Sequence, residues 1–293
     1  MRDNDIYRQV IRNSFIMKNA WEDWAPYRNN LTELVLSLKP GSVMIIGGGR
    51  CNDIDLRRLL MVVNKVTIID VDADGMQEAV SALPEGMQKN VECRTASLTG
   101  IEEEQIADFC EAMMAHARAA VNGNDISFFT ESLRELLDEM EGRLIRSESE
   151  LEAVLPEGAT DVVLCSGVHS QLFSTLMMFL KVLFGSVRDH LPGLDGFETE
   201  VENRVRHMND VVIPVIDKVV FRAAAKAAVF GNEYMPDNPV EGADQCIRDL
   251  REYYAPKETH LIWEFNRAAG KTYDMLIQIC PETTINYLIG DLK

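Results

Sequence analysis

The chain has 293 residues, 29 of them basic and 47 acidic, and a formal net charge of −18. That length can bury a sizeable core in one large α/β domain or two smaller ones, and we favour one domain with insertions. Net negative charge without a local basic patch repels a phosphate backbone, so nucleic acid is a poor partner.

The six cysteines are scattered without a C-x-x-C pair, which favours a reducing, cytoplasmic location. The start of the chain has no uninterrupted apolar run, so a cleaved secretory signal is not expected. The most apolar stretch, residues 172–184, is shorter than the ~20 residues that span a bilayer and contains Lys181. We expect no membrane association, and interpret this stretch as a buried helix or a contact within a homodimer.

The N-terminal region is predicted to be helical, because apolar residues recur at helical spacing across residues 5–38. The sequence KPG at residues 39–41 ends that pattern. We therefore expect a helical cap over residues 1–40, followed by one α/β domain over residues 41–293.

The next thirty residues predict a βαβ unit. Residues 42–46, SVMII, read as a first buried strand, and residues 65–70, KVTIID, as a second. Between them, residues 53–63 have the apolar spacing of a helix, with Asn52 or Asp53 available as its N-cap. Such a unit is expected to pair its two strands in parallel with a right-handed crossover.

The alternation of helix and strand continues to the end of the chain. The predicted elements are a helix at 72–83, a weak strand at 91–96, an inserted helix pair within about 101–153, a strand at 160–167, the apolar helix, a polar stretch at 185–202, a helix at 209–226, a strand at 227–234 and a helix at 242–254. Pro214 is expected in or near the first turn of its helix, where its missing donor costs little.

The last two strand-like runs have no helix between them. Residues 259–266, THLIWEFN, and residues 272–280, TYDMLIQIC, are separated only by RAAGK. They are expected to pair as an antiparallel hairpin. The predicted fold class is thus a doubly wound, mostly parallel seven-stranded sheet with an antiparallel C-terminal hairpin, together with N-terminal helices and helical insertions.

A glycine triplet and an acid mark the first strand-turn-helix unit as a candidate ligand site. Gly47, Gly48 and Gly49 follow the first strand, where residues without a Cβ let the backbone approach a ligand closely. Asp70 ends the second strand 21 positions after Gly49, a spacing at which a carboxylate accepts hydrogen bonds from both ribose hydroxyls of an adenosine. The combination indicates an adenosine-type ligand.

The same turn argues against a dinucleotide. A dinucleotide fingerprint has a third glycine where this chain has Asn52. Asp53 and Asp55, in the expected first turn of the helix, would repel a pyrophosphate. A ligand that carries an ammonium or a sulfonium is easier to accommodate.

Three segments resemble motifs of the class I S-adenosylmethionine-dependent methyltransferases. VMIIGGGRCND resembles the first motif, VTIIDVD the ribose-binding second strand, and DVVLCSGVHSQLF the fourth strand with its loop. The final hairpin is similar to the sixth and seventh strands of that family. The resemblance covers about residues 40–100 and 160–290, and it implies an enzyme that uses S-adenosylmethionine as cofactor and transfers a methyl group to a small molecule.

The resemblance implies a set of cofactor contacts: Gly47, Gly48, Gly49, Asn52, Asp70, Val71, Ser97, Cys165 and Ser166. Asp70 would bind the ribose, Val71 would pack on the adenine, and Ser97 would lie near the adenine amine. The chain departs from the family pattern at Ile45, where an acid is common, and at Cys51, where a third glycine is common.

Other polar residues are candidates for the substrate side. His169 follows the fourth strand and is either a general base or a loop histidine held by backbone groups. The candidate substrate contacts are Gln171, Asn232, Tyr234 and Trp24, the last of which is equally explained by packing of the N-terminal helix on the core. No metal site is predicted, because the histidines lack H-x-x-x-H or H-E-x-x-H spacing.

Two alternatives to methyl transfer stay open. An aminopropyltransferase of the spermidine-synthase kind has a similar glycine turn and second strand, but that family places an aspartate after its fourth strand where this chain has CSGVHS. A non-catalytic sensor or scaffold would keep the adenosine site and lack the chemistry.

Overall fold

The computed structural model describes residues 19–281. Its helices are α1 (Ala20–Asp23), α2 (Ala25–Ser37), α3 (Leu56–Leu60), α4 (Ala73–Ser81), α5 (Glu85–Gln88), α6 (Glu103–Gly123), α7 (Ile126–Arg143), α8 (Glu148–Glu152), α9 (Ser174–Val187), α10 (Asp195–Ala223) and α11 (Ala243–Tyr253). Its strands are β1 (Ser42–Ile46), β2 (Lys65–Asp70), β3 (Val91–Thr95), β4 (Thr160–Ser166), β5 (Ala224–Glu233), β6 (Lys257–Asn266) and β7 (Lys271–Pro281). The predicted helix before residue 19 lies outside the described residues.

The seven strands form one sheet in the order β3-β2-β1-β4-β5-β7-β6. Strands β1 to β5 pair in parallel, with Ile45 of β1 between Ile68 of β2 and Leu164 of β4. Strand β7 lies antiparallel to both β5 and β6. The predicted fold class is confirmed, including the C-terminal hairpin, and it is the arrangement that the resemblance to class I methyltransferases implies.

The described chain divides into two compact units. The sheet unit contains residues 19–96, 147–170 and 213–281, and the helical unit contains residues 97–146 and 171–212. Helix α10 contributes its first part to the helical unit and its last part to the sheet unit. Helices α1 and α2, the described portion of the expected N-terminal cap, belong to the sheet unit.

The two faces of the sheet carry different side chains because successive residues of a strand point to opposite faces. On one face, Val162 and Leu164 of β4 join an apolar core with Tyr27 and Leu31 of α2. The neighbouring Cys165 is fully buried and points to the other face, which α11 covers through its contact with β5. Helices therefore lie on both faces of the sheet, as doubly wound topology requires.

The helical unit has a core of its own. Phe129 of α7, Phe184 of α9 and Phe197 of α10 form a mutual edge-to-face cluster with ring centroids 6.0 to 6.4 Å apart. Arg204 pairs with Asp138 and Glu141 of α7 at the rim. The predicted inserted helix pair is present as α6 and α7.

Two local predictions were wrong. The N-cap of α3 is Asp55, whose carboxylate accepts the Arg58 N–H at 3.0 Å, rather than Asn52 or Asp53. Helix α10 begins at Asp195 inside the expected polar stretch, which places Pro214 in its interior. A proline there leaves one carbonyl of the preceding turn without its helical partner.

The apolar stretch at 172–184 is helical, as predicted, and forms most of α9. The helix buries Leu176, Leu180 and Phe184, while Val182 is 69 % exposed. Across the described residues, none of the helices combines the length and apolar character needed to cross a membrane.

Candidate active site

The turn after β1 is tightly packed against the chain itself at its first two glycines. Gly47 has a φ of 68° and donates its N–H to the Ile69 carbonyl at 2.8 Å. A Cβ on Gly47 would lie 2.4 Å from a methyl of Val168, and one on Gly48 would lie 2.6 Å from a methyl of Ile68. Since neither contact is sterically tolerable, both positions exclude a side chain.

The third glycine faces the acid at the end of β2. The Gly49 N–H donates to Oδ2 of Asp70 at 2.8 Å, and the Asp72 N–H donates to Oδ1 at 2.8 Å. A Cβ on Gly49, whose φ is 43°, would lie 3.7 Å from the same carboxylate, an ordinary contact distance. The turn and the acid predicted from the sequence therefore meet, and two backbone amides orient the carboxylate.

Two carboxylates near this turn have pKa values that are raised by burial. Burial raises the pKa of Asp70, and the amides of Asp72 and Gly49 oppose that change. Burial also raises the pKa of Asp53 to about 6, against the attraction of Arg28 and with the repulsion of Asp70. The region around Gly49 therefore favours an added positive charge.

The Arg28 cation, which attracts Asp53, is held by its own hydrogen bonds. The Arg28 guanidinium donates to the Asn52 carbonyl at 3.0 Å and to the Trp21 carbonyl at 2.8 Å. It also lies over the Trp21 ring, 3.5 Å from the ring centroid. Arg28 thus fastens α2 to the loop that contains Asn52, and its attraction reduces the pKa shift of Asp53 without abolishing it.

The carboxyl end of β4 carries two of the predicted residues on opposite faces. The Ser166 hydroxyl is 2.8 Å from the buried Tyr27 hydroxyl of α2. Cys165 faces the other way, where burial and then the charge of Asp217 raise the pKa of its thiol. Ser166 is half-buried at the edge of the sheet where Gly47 also lies, since Ile46 and Cys165, the residues before them, are paired in parallel strands.

A polar cluster lies behind the end of β4. Nε2 of His169 is 2.8 Å from Oδ1 of Asp217, and its Nδ1 is 3.1 Å from Oδ1 of Asn232. The Cys246 thiol donates to the same Asp217 oxygen at 3.3 Å. The His169 side chain is buried and both of its ring nitrogens have partners, so Asn232 and His169 share an enclosed network.

A second buried carboxylate ends β5. The Ser170 hydroxyl donates to Oε1 of Glu233 at 2.9 Å, while Oε2 is buried with no hydrogen-bond partner. Burial raises the pKa of Glu233. Because Gly231 of the same strand would bring a Cβ within 2.5 Å of the Ser166 hydroxyl, the ends of β4 and β5 are closely apposed.

The remaining predicted residues are dispersed. Val71 is 44 % exposed beside Asp70, as a surface for an adenine would require. Trp24 donates its indole N–H to the Phe265 carbonyl at 2.9 Å and packs against Trp263. Tyr234 is half-buried, and its ring lies 5.4 Å from the His260 ring.

Two predicted residues belong to the helical unit. Ser97 is buried and its hydroxyl donates to the Ile101 carbonyl at 2.8 Å, which closes the turn before α6. Gln171 is exposed at the start of the segment that leads into α9. Their assignment to the cofactor and the substrate stays a prediction.

Sequence reasoning missed Asp217 and Cys246 as members of the buried polar cluster around His169. Asp217 lies in the interior of α10 and Cys246 in the first turns of α11, both within apolar helical patterns. The one available signal was an acid at a core position of an amphipathic helix, since a buried aspartate requires partners.

The chain was compared with known proteins. No family model matches it, and no curated protein matches it. Among solved structures, it is similar to an O-methyltransferase from Bacillus cereus in complex with SAH, at 10 % identity and a TM-score of 0.42, over 95 % of this chain and 90 % of that chain.

Two further similar structures are methyltransferases. One is a SAM-dependent methyltransferase from Aquifex aeolicus, at 14 % identity and a TM-score of 0.38, over 96 % of this chain and 100 % of that chain. The other is the O-methyltransferase TomG from Streptomyces achromogenes in complex with SAM, at 11 % identity and a TM-score of 0.40, over 96 % of this chain and 99 % of that chain. All three TM-scores are below 0.5, so the fold assignment rests on the strand order.

Proposed function

We propose that the chain is an enzyme that binds S-adenosylmethionine at the Gly49–Asp70 turn and transfers its methyl group to a small molecule. One observation carries the proposal: Asp70 is held by the Gly49 and Asp72 amides at the carboxyl end of β2, with the second carboxylate of Asp53 close enough to repel it. A doubly wound sheet binds its ligands at this edge.

The residues present fit such a cofactor. The oriented Asp70 carboxylate retains lone pairs that can accept hydrogen bonds from vicinal ribose hydroxyls. The acidic surroundings of Asp53 favour the ammonium and sulfonium charges and disfavour a pyrophosphate. When bound, S-adenosylmethionine supplies a methyl group on a good leaving group.

The protein's contribution is to bind, orient and exclude water. Gly47 and Gly48 fix the turn by packing on Val168 and Ile68, which sets the position of the Gly49 amide. Ser166, held by Tyr27, lies at the end of β4, where the methyl acceptor is proposed to approach. Holding the acceptor in line with the methyl carbon and the sulfur is the main source of acceleration in this chemistry.

The acceptor is proposed to carry a hydrogen-bond donor. Oε2 of Glu233 is buried without a partner beside the end of β4, and an amine or hydroxyl on the acceptor would satisfy it. The same carboxylate can take a proton from the acceptor when the acceptor arrives protonated. His169 has no part in this mechanism, because both of its ring nitrogens are engaged in the buried cluster.

The proposal extends to location and assembly. All six cysteines are free thiols, which supports a reducing, cytoplasmic compartment. The net charge of −18 supports a small-molecule substrate over nucleic acid. A homodimer through the exposed side of α9 stays a proposal to be tested by sedimentation.

Calorimetric titration with four ligands tests the cofactor. S-adenosylmethionine and S-adenosylhomocysteine are expected to bind one per chain, and NAD is expected to give no heat. A preference for NAD would contradict the proposal, and a preference for decarboxylated S-adenosylmethionine would favour aminopropyl transfer.

Labelled methyl transfer tests the activity. The protein is incubated with methyl-labelled S-adenosylmethionine and a fractionated metabolite extract, and label is expected to move to a small-molecule fraction. The Glu233→Gln variant is expected to lower this transfer while it preserves cofactor affinity. Cofactor binding without any transfer would favour a sensor.

A further inference from the structure

Three potential metal ligands from distant parts of the sequence converge in the sheet unit. They are Nε2 of His169 after β4, the carboxylate of Asp217 in α10 and Sγ of Cys246 in α11. All three ligand atoms lie within 4.8 Å of one another. The three residues are 1 %, 2 % and 0 % exposed. Together they offer one nitrogen, one oxygen and one sulfur ligand, and none of the three residues belongs to the proposed cofactor turn.

The hydrogen bonds around His169 call for a proton or a metal ion between its Nε2 and the Asp217 carboxylate. The Asn232 amide nitrogen donates to Cys246 Sγ at 3.3 Å, which leaves the amide oxygen to face His169 Nδ1 at 3.1 Å. In this amide orientation the oxygen can only accept, and the tautomer that matches it carries its proton on Nδ1. In the neutral imidazole, Nε2 then has a lone pair and no proton, and it lies 2.8 Å from Oδ1 of Asp217. Two acceptors at that distance need a proton or a metal ion between them.

The carboxylate supplies an independent reason to place a metal ion there. Oδ2 of Asp217 is buried and has no hydrogen-bond partner. Buried carboxylate oxygens are normally satisfied, and one additional proton on His169 would leave Oδ2 without a partner. A divalent cation in contact with the carboxylate satisfies both of its oxygens and the Nε2 lone pair together.

We propose that His169, Asp217 and Cys246 bind a zinc-class divalent cation as a structural site. A mixed imidazole, carboxylate and thiolate set selects Zn²⁺ and its transition-metal relatives over Mg²⁺ and Ca²⁺, which prefer oxygen. The Cys246 thiol loses its proton to solvent as the Sγ–metal bond forms. Ligand atoms of a tetrahedral zinc site lie about 3.3–3.8 Å apart, so the His169–Asp217 pair opens by about 0.5 Å on binding.

Asn232 completes the site as a positioning residue. Its amide oxygen accepts the His169 Nδ1 proton, which directs the Nε2 lone pair toward the ion. Its amide nitrogen contacts Cys246 Sγ and stabilises a thiolate there. The ion ties the β4 loop, α10, β5 and α11 together, and the burial of its ligands favours stabilisation of the fold rather than catalysis. This inference does not depend on the proposed function.

Cobalt substitution of the intact chain tests the site. The chain is unfolded with chelator, refolded without metal and titrated with Co²⁺. One ion is expected per chain, with a thiolate-to-cobalt charge-transfer band that disappears when Zn²⁺ displaces Co²⁺ and that Mg²⁺ leaves unchanged. Absence of the charge-transfer band in the refolded wild type would overturn the proposal and support a buried imidazolium–aspartate pair.

Matched variants locate the ion. Cys246→Ser is expected to abolish the charge-transfer band, while Cys110→Ser, at another fully buried cysteine, is expected to retain it. Asn232→Ala is expected to weaken Co²⁺ binding by about 10- to 100-fold with the band position preserved. If Cys246→Ser does not fold, X-ray absorption of the zinc-loaded wild type must report one sulfur and at least one imidazole ligand. Retention of the band in folded Cys246→Ser, or a shell without sulfur, would refute the site.

Discussion

The Gly49–Asp70 turn and the His169–Asp217–Cys246 cluster lie in the same unit, and each holds a carboxylate in a different way. Backbone amides orient Asp70, and its carboxylate stays half-buried beside the exposed Val71. The side chains of His169 and Cys246 contact Asp217, and all three residues are buried. The turn can therefore exchange a ligand with solvent, whereas the cluster can be loaded only when the chain folds or opens locally.

The largest expected effect is at the first glycine of the turn. Gly47→Ala places a side chain at a φ of 68° and 2.4 Å from a Val168 methyl. We expect a loss of about 2 to 4 kcal/mol in the free energy of unfolding, together with loss of cofactor binding. Urea unfolding monitored by circular dichroism measures the first effect, and calorimetry the second.

Two further variants test the cause of that loss, one as a control and one that separates steric overlap from backbone strain. Gly86→Ala, in α5 with open space around its Cβ, is expected to leave cofactor binding unchanged and to cause no loss in the free energy of unfolding, because alanine is the better helix former. Adding Val168→Ala to Gly47→Ala is expected to restore cofactor binding in part, because it removes the overlap and leaves the strain. If the Gly47→Ala single variant were as stable as the wild type, the turn would have to be less tightly packed than the structure shows.

Replacing Asp53 is expected to have an intermediate effect on the free energy of unfolding, and that effect depends on pH. Because its pKa is raised to about 6 in the folded chain, the native state retains a proton that the unfolded chain has already lost. Stability is therefore lost as pH rises from the unfolded pKa, near 4, through 6. Asp53→Asn cannot lose a proton in this range. Its free energy of unfolding, relative to that of the wild type, should therefore rise by about 1 to 3 kcal/mol as the pH increases from about 4 to about 6.

The same residue links pH to the ligand. A bound cation favours the ionised form of Asp53, so wild-type affinity for S-adenosylmethionine should increase between pH 5 and 7. The dependence should flatten in Asp53→Asn. Calorimetry in buffers of different ionisation enthalpy measures the proton released, and a pH-independent wild-type affinity would contradict the acidic-turn account.

The smallest effect is at the hydroxyl pair that joins α2 to β4. Tyr27→Phe removes a hydrogen bond of 2.8 Å to Ser166 while it keeps the buried ring. A loss of about 1 kcal/mol is expected, as is usual for one such bond. A double-mutant cycle with Ser166→Ala isolates the coupling, and additive losses would show that the two hydroxyls do not interact.

The sheet and the turn could be predicted from the sequence because their signals are local. The apolar runs of β1, β2 and β4 are buried on both faces, and such runs are typical of parallel strands. The Gly49–Asp70 contact was predictable because the βαβ unit fixes where both residues emerge. The absence of a helix between β6 and β7 indicated their antiparallel pairing.

The cluster could not be predicted because its members are brought together only by the tertiary fold. His169, Asp217 and Cys246 are 48 and 29 positions apart along the chain, far from the short spacings of metal motifs. Helix α10 was predicted to start too late, because the polar residues at its beginning are typical of a loop and Pro214 is typical of a first turn. Both failures come from tertiary contacts that override local patterns.

The most direct test of the central claim is the affinity of Asp70→Asn for S-adenosylmethionine. The variant keeps the shape of the side chain and removes the charge that would bind the ribose hydroxyls, so calorimetry is expected to show a loss of about 10- to 1,000-fold. Glu85→Gln, which removes one charge from an exposed position, is the matched control and should bind as the wild type does. Equal affinities for wild type and Asp70→Asn would contradict the account.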